Sequence, residues 1–162
     1  MKKLFTVLSF IFFFAGISTA QEYKSAIGGR VGVPLMASYK FFISDPGAIE
    51  LMAGVQFYGI SNYTSFNVAG AYQHHFPIAD ITGFEWYVGG GAGINFWIFN
   101  SNFGDDEAGI SPGIQAYGGI SYTFENIPLN LTLDIRPGVN LSGIERGFDR
   151  GGSFGIRYVI NR

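Results

Sequence analysis

The chain has 162 residues, of which 24 are glycine, 17% are aromatic and only 14% are charged. Two of its ten basic residues, Lys2 and Lys3, lie in an N-terminal leader, so the remainder carries eight basic and twelve acidic residues, a net charge of −4. This acidic balance argues against a nucleic-acid partner, which needs a basic face to neutralise phosphates. The absence of cysteine excludes disulfide bonds, thiol nucleophiles and cysteine-ligated metals.

The first twenty residues have the pattern of a secretory signal peptide. Lys2 and Lys3 are followed by the apolar run LFTVLSFIFFF, and the small residues Ser18-Thr19-Ala20 precede a cleavage point before Gln21. The run is too short to cross a bilayer as a helix, which needs about 20 apolar residues. The sequence therefore predicts a signal peptide at 1–20 and a single domain at 21–162.

Turn signals divide the rest of the chain into segments of strand length. Proline and Asx residues mark short turns at 44–47, 77–83 and 125–128, whereas polar, glycine-rich stretches mark longer loops at 99–109 and 142–152. Short and long connections alternate, apart from a very tight loop after the first segment, as in an up-and-down barrel with both termini on one side. The eight predicted strands are 25–33, 35–43, 48–59, 63–75, 84–98, 109–123, 129–141 and 152–161.

Apolar and polar residues alternate along these segments with a period of two, which places successive side chains on opposite faces of a sheet. In PLNLTLDIRPGVNL, at 128–141, leucine, isoleucine and valine share one face, while Asp134 and Arg136 lie on the other. A lysine or arginine facing lipid at mid-bilayer costs about 2–4 kcal/mol, so a membrane barrel turns its charges inward. Seven charged residues fall on the polar face of the strands: Arg30, Lys40, Glu50, Glu85, Asp134, Arg136 and Arg157.

Aromatic residues of the apolar face collect at one end of the predicted strands. Amphipathic rings prefer the headgroup level of a membrane, where the ring is half buried and its polar atom stays hydrated. A soluble sandwich has no reason to expose rings along one rim, where they would promote aggregation. The pattern therefore favours an all-β fold, an eight-stranded antiparallel up-and-down transmembrane β-barrel. The predicted aromatic girdle consists of Tyr39, Phe41, Tyr72, Phe84, Trp86, Tyr122, Phe124 and Tyr158.

In this pattern the chain resembles the small eight-stranded outer-membrane β-barrel proteins of the OmpA/OmpX-like kind. The stretches that carry the resemblance are AIGGRVGVP, SYKFFISDPGAIELMAGVQF, AYQHHFPI, WYVGGGAGINF, IPLNLTLDIRPGVNL and GGSFGIRYVI. The resemblance implies a monomer in the outer membrane of a Gram-negative bacterium, with membrane lipid and the barrel assembly machinery as its partners. Such barrels commonly end on an aromatic residue, whereas this chain ends YVINR, which makes Tyr158 and Ile160 the candidates for the assembly signal.

Side chains fill the interior of an eight-stranded barrel, so the sequence predicts a plugged lumen rather than a pore. Buried charges need partners, and the four basic and three acidic residues of the polar face nearly balance. We expect Arg136 or Arg157 to contact one of the three carboxylates across the lumen. Pro137, which has no N–H to donate, predicts a bulge or a lost hydrogen bond in the seventh strand.

No residue is predicted to be catalytic or to bind a cofactor or a metal. Adjacent residues of a strand face opposite ways, so His74 and His75 cannot chelate one ion. The glycines within 89–93 lie in a strand without the helix of a phosphate loop, and they make room for large lumen side chains or permit curvature. The acidic run at 105–107 matches no EF-hand spacing and is interpreted as a solvated loop.

Two alternatives stay open on the sequence alone. A soluble lipocalin-like barrel that carries an apolar ligand needs an apolar lumen and a charged exterior. A lipid-modifying outer-membrane enzyme needs a serine beside a histidine near the outer rim, whereas both histidines fall at the opposite end from Ser61 and Ser65. We therefore predict a non-enzymatic protein with a structural or interaction role, exercised through the loops after Ile98 and Leu141, toward an extracellular or periplasmic protein that the sequence does not identify.

Overall fold

The computed structural model describes residues 23–57, 63–78, 81–99, 108–143 and 147–162. Eight strands form a closed barrel in which each strand pairs antiparallel with its neighbours in sequence and the first pairs with the last. The predicted all-β fold, an eight-stranded antiparallel up-and-down barrel, is confirmed. The strands are β1 (Ser25–Gly32), β2 (Leu35–Ser44), β3 (Gly47–Phe57), β4 (Tyr63–Pro77), β5 (Phe84–Phe99), β6 (Ala108–Thr123), β7 (Leu129–Asn140) and β8 (Gly147–Asn161).

The connections alternate between the two ends of the barrel. The end that holds residues 23 and 162 and the connections 45–46, 78–83 and 124–128 is called the turn end below. The opposite end, where 33–34, 58–62, 100–107 and 141–146 join the strands, is called the loop end. The predicted signal peptide at 1–20 and the acidic run at 105–107 lie outside the described residues. Within the described ranges there is no helix long and apolar enough to cross a membrane.

The start of β8 differs from the prediction. The strand begins at Gly147 rather than at residue 152, because GFDRGG continues the ladder with β7 instead of forming part of a loop. This segment has no clear alternation of apolar and polar residues. Backbone pairing does not require alternation, since every non-proline residue carries its own donor and acceptor. The last connection at the loop end is therefore 141–146 rather than the predicted 142–152.

Pro137 interrupts the ladder between β6 and β7. The pairs that would join Ala116 and Tyr117 to Pro137 and Arg136 are missing, and the register is the same on both sides of the gap. No extra residue is inserted, so the disturbance is a gap rather than a bulge. It affects the β6 side alone, because pairing with β8 continues through Arg150. The cause is the missing N–H of proline.

Burial in this barrel is the reverse of that in a soluble domain. Large apolar side chains cover the outside, where Leu51, Leu133 and Ile135 are 50%, 57% and 68% exposed. The inside holds charged and polar side chains, among which Arg30 and Glu50 are fully buried. In water-soluble proteins, arginine and glutamate are rarely buried and apolar side chains fill the core. The buried charges of the lumen are therefore the most unusual feature of this barrel, and the candidate site is described from them.

Candidate functional site in the barrel lumen

All seven charged residues predicted for the polar face are buried, with at most 5% of each exposed. Each lies on the face opposite the outward apolar residues of its strand, as the period of two requires. The structure does not gather them into one network. It joins four of them in what we call the ionic cluster, places two nearer the turn end and leaves one nearer the loop end. The ionic cluster consists of Arg30, Glu50, Asp134 and Arg157.

Glu50 of β3 lies between two guanidinium groups. Arg30 Nη1 donates to both of its carboxylate oxygens, at 2.9 and 2.8 Å, and Arg157 Nη2 donates to Oε1. Ser38 Oγ at 2.8 Å and Gln73 Nε2 at 2.7 Å donate to the same carboxylate. Hydrogen bonds between ionised groups are short and strong, and here they offset the lost hydration of a carboxylate that is fully buried.

Arg30 of β1 extends the cluster across the lumen to β7. Its Nη2 donates to both oxygens of Asp134 at 2.5 Å. Tyr87 of β5 donates its hydroxyl to Asp134 Oδ2 at 2.6 Å. Ser153 of β8 accepts from Arg30 Nε at 3.1 Å and donates to Asp134 Oδ1 at 3.0 Å. Arg30 therefore links β1 to β3, β7 and β8, which include the two strands that close the barrel, and Asp134 adds Tyr87 of β5 to the network.

Nearer the turn end, a second group of polar side chains surrounds Tyr87. His75 Nδ1 lies 2.7 Å from Glu85 Oε2, and the imidazole stacks on the Tyr87 ring with centroids 5.0 Å apart. Lys40 Nζ lies 4.7 Å from the centroid of the same ring and has no hydrogen-bond partner among the described residues. Sequence reasoning missed His75 as a lumen residue, although the alternation of β4 places it opposite the outward Tyr72.

Toward the loop end, the ionic cluster is followed by an apolar layer. Met36 and Met52 are 3% and 2% exposed and pack with Tyr117 and two inward alanines. Small residues between them let these large side chains share the narrow interior of an eight-stranded barrel. The layer comprises Met36, Met52, Ala69, Ala71 and Tyr117, and Tyr87 packs against it from the side of the turn end.

The eight residues of the predicted aromatic girdle lie on the outer face, in the half of the barrel next to the turn end. The Tyr122 ring contacts Phe84 at 6.2 Å and Phe124 at 4.7 Å between centroids. Trp86 stacks on Phe76 at 4.2 Å. Sequence reasoning left Phe76 out of the girdle, although it continues the outward series of β4.

The two adjacent histidines face opposite ways, as the alternation predicts. His74 is partly exposed on the outside, with its Nδ1 3.3 Å from the hydroxyl of Tyr72, whereas His75 is fully buried inside. In the part of the chain that the structure describes, no group of three or more histidine, aspartate or glutamate side chains is placed to hold a metal ion.

No protein-family model matches the chain, and no curated protein matches it. Two solved structures share its fold. Neisserial surface protein A superposes with a TM-score of 0.64 at 14% identity, over 84% of this chain and 93% of that one. The N-terminal β-barrel domain of Pseudomonas aeruginosa OprF superposes with a TM-score of 0.65 at 16% identity, over 86% of this chain and 100% of that one. The chain therefore has the fold of the small eight-stranded outer-membrane β-barrels, as the resemblance of its sequence predicts.

Proposed function

We propose that this chain is an integral outer-membrane β-barrel protein with its turn end toward the periplasm and its loop end outside the cell. The observation that carries the proposal is the reversed burial of β7, where Leu133 and Ile135 are exposed while Asp134 and Arg136 are buried. An apolar exterior is stable against lipid and unstable against water. The aromatic girdle near the turn end gives the barrel a rim suited to the headgroup level.

The soluble carrier is disfavoured by the same geometry. A lipocalin-like protein needs an apolar chamber and a polar exterior. Here the lumen holds the ionic cluster, and the apolar layer beside it is filled by its own side chains. An apolar ligand would have to displace buried, hydrogen-bonded charges, which is costly.

Membrane fractionation followed by electrophoresis with and without boiling tests the outer-membrane assignment. The protein should be recovered with outer membranes, and the unboiled sample should migrate differently from the boiled one, because a folded barrel resists detergent at room temperature. Recovery in the soluble periplasm together with unchanged migration on boiling would overturn the proposal.

We further propose that the lumen is plugged and conducts no ions. The ionic cluster and the apolar layer lie in succession across the interior, and their side chains are almost fully buried. Reconstitution into planar bilayers should therefore give no stable conductance. A steady single-channel current from pure, heat-modifiable protein would contradict a plugged lumen.

The role we propose is structural or interactive rather than enzymatic. Ser65 is buried in the lumen toward the loop end, and Ser61 lies outside the described residues. At the turn end, Ser44 lies near Tyr72, a proximity that the sequence does not predict. His74 Nδ1, however, lies beside the hydroxyl of Tyr72 and not beside a serine. Purified protein incubated with phospholipid should release no fatty acid, and release that disappears in His74→Ala would establish an enzyme.

The barrel closes on itself and leaves no free strand edge, which supports a monomer whose partners are membrane lipid and, during biogenesis, the barrel assembly machinery. Contacts with other proteins are then left to the loops after Ile98 and Leu141. Trypsin added to intact cells tests this orientation, because Arg146 lies in a loop-end connection. Wild type should be cut and Arg146→Gln protected at that site. Cleavage that appears only after the outer membrane is disrupted would reverse the orientation.

A further inference from the structure

The lumen contains a polar cavity of about 60 Å³ at the loop end, on the far side of the apolar layer from most of the ionic cluster. Asp149 and Arg150, which are exposed, line it together with the buried Arg136. Side-chain amides make up much of the remaining wall. They belong to Gln56, Asn67, Asn95, Gln115 and Asn140.

Arg136 is the unusual member of this lining. Its side chain is buried, yet it forms no ion pair with any described carboxylate. Its Nη2 donates to the carbonyl oxygen of Val33 at 3.1 Å, its Nη1 approaches Met36 Sδ at 3.5 Å, and its Nε has no partner among the described residues. A buried cation without a counter-charge is costly, so a buried guanidinium beside a cavity suits an anionic ligand.

The amides of the wall can turn either donors or acceptors toward a ligand. Asn67 Nδ2 donates to Asn95 Oδ1 at 2.7 Å, while Asn67 Oδ1 is buried and without a partner among the described residues. If both amide groups rotate by 180°, Asn95 donates to Asn67 and their mutual hydrogen bond is kept. The free atom of Asn67 is then its Nδ2, which is a donor. Asp149 lies on the inward face of β8 and places a carboxylate in the same wall, whereas Arg150 faces outward, with its guanidinium carbon 5.3 Å from the centroid of the exposed Phe148 ring. An anion is therefore expected on the side of Arg136, away from Asp149.

We propose that this cavity binds a small oxyanion of the phosphate class, with Arg136 as its principal ligand and the side-chain amides as further donors. A guanidinium fork matches the oxygens of phosphate. A single water needs about 10–15 Å³ of such space, so the cavity holds a few waters or one tetrahedral anion but no sugar or nucleotide ring. The phosphate is either a free ion or a group whose carrier stays outside the mouth.

Calorimetric titration of sodium phosphate into the detergent-solubilised barrel, at constant ionic strength in chloride, tests the proposal. Wild type should show saturable binding, and Arg136→Gln should bind at least about tenfold more weakly, because it loses a charged hydrogen-bond donor. Lys24→Gln is the matched control, since it removes one positive charge from an exposed position at the turn end and should bind as wild type does.

Each variant must shift on boiling before it is titrated, so that a binding defect is not a folding defect. If Arg136→Gln does not fold, Asp149→Asn serves instead and should strengthen binding several-fold, because it removes a negative charge from the wall of the cavity. No saturable binding by wild type, or unchanged affinity in whichever of these two variants folds, would overturn the proposal. Neither result would affect the outer-membrane assignment, which rests on fractionation.

A second arm distinguishes the two sources of phosphate. A phosphorylated lipopolysaccharide core saccharide and its enzymatically dephosphorylated form are each added as competitors of inorganic phosphate. Competition by the phosphorylated form alone identifies a phosphate borne on the cell surface. Competition by neither, with binding of inorganic phosphate retained, identifies the free ion.

Discussion

Replacing Glu50 with glutamine isolates the contribution of a carboxylate that bridges two buried arginines, Arg30 and Arg157. Glutamine has almost the same shape, so no cavity is created and the change is one of charge. Arg30 keeps its partner Asp134 at 2.5 Å. Arg157 is left with neutral partners, chiefly Ser38 Oγ at 2.7 Å and Thr132 Oγ1 at 3.0 Å.

The expected loss of stability follows from this difference between the two arginines, because Arg30 keeps a charged partner and Arg157 does not. Removing one partner of a buried ion pair costs about 3–5 kcal/mol, because the other charge stays buried without compensation. The new amide N–H groups also face guanidinium donors, where the carboxylate had accepted hydrogen bonds. We therefore expect Glu50→Gln to lower the free energy of unfolding by about 3–5 kcal/mol.

Urea unfolding in lipid vesicles, followed by tryptophan fluorescence, measures this difference as a shift of midpoint at constant slope. Glu125→Gln makes the same chemical change on an exposed turn-end residue and should stay within about 0.5 kcal/mol of wild type. The double variant Glu50→Gln/Arg157→Met removes the stranded charge and should be more stable than Glu50→Gln. A loss below about 1 kcal/mol in the single variant, or no recovery in the double one, would refute the reasoning.

Three further predictions test the two faces of the wall. In vesicles with brominated acyl chains, the fluorescence of Trp86, which is 39% exposed on the outside, should be quenched several-fold more than that of Trp97, which is 2% exposed. Each tryptophan is measured after the other is replaced by phenylalanine. Equal quenching would contradict the assigned faces. Leu133→Arg should lower the free energy of unfolding in vesicles by about 2–4 kcal/mol, and a negligible change would show that this face does not meet lipid. Gly119→Ala should lower the free energy of unfolding by about 1–3 kcal/mol, because its Cβ would lie 2.6 Å from a side-chain carbon of β7. Gly118→Ala should be nearly neutral, because no atom lies within 4 Å of the new methyl group. Similar effects of the two variants would argue against opposite faces.

The barrel wall could be predicted from the sequence because its rules are local. A period of two sorts each strand into two faces, and turn residues separate the strands, so Asp134 and Leu133 are assigned from their immediate neighbours. The same reasoning failed at the start of β8, where GFDRGG pairs with β7 without an alternating pattern. Pairing there is set by the partner strand rather than by the segment itself.

The sequence predicts that charged side chains lie inside the lumen, but it does not predict which of them are in contact. Alternation shows that Arg30, Glu50 and Arg157 point inward, but which of them touch depends on strand order, register and side-chain length together. The same limit applies to the expectation that Arg136 or Arg157 contacts a carboxylate across the lumen. The structure pairs Arg157 with Glu50 and places Arg136 beside Val33 and Met36. His74 and His75 are predicted to face opposite ways, but an imidazole is compatible with either face, so the pair alone does not show that His75 is the one in the lumen.

The position of Arg30 also bears on how the barrel forms. Its partners lie 20, 104 and 123 residues away along the chain, in Glu50, Asp134 and Ser153. Contacts so distant in sequence carry a large loop-closure entropy and form late. The last two come together only when β1 meets the other end of the chain. If the barrel forms in a membrane, as we propose, an open sheet would expose its edges and the charge of Arg30 to hydrocarbon, where neither is tolerated. Pairing of β1 with β8 and neutralisation of the buried charges are thus a single event. Partly closed intermediates are therefore unstable, and the folding transition is cooperative.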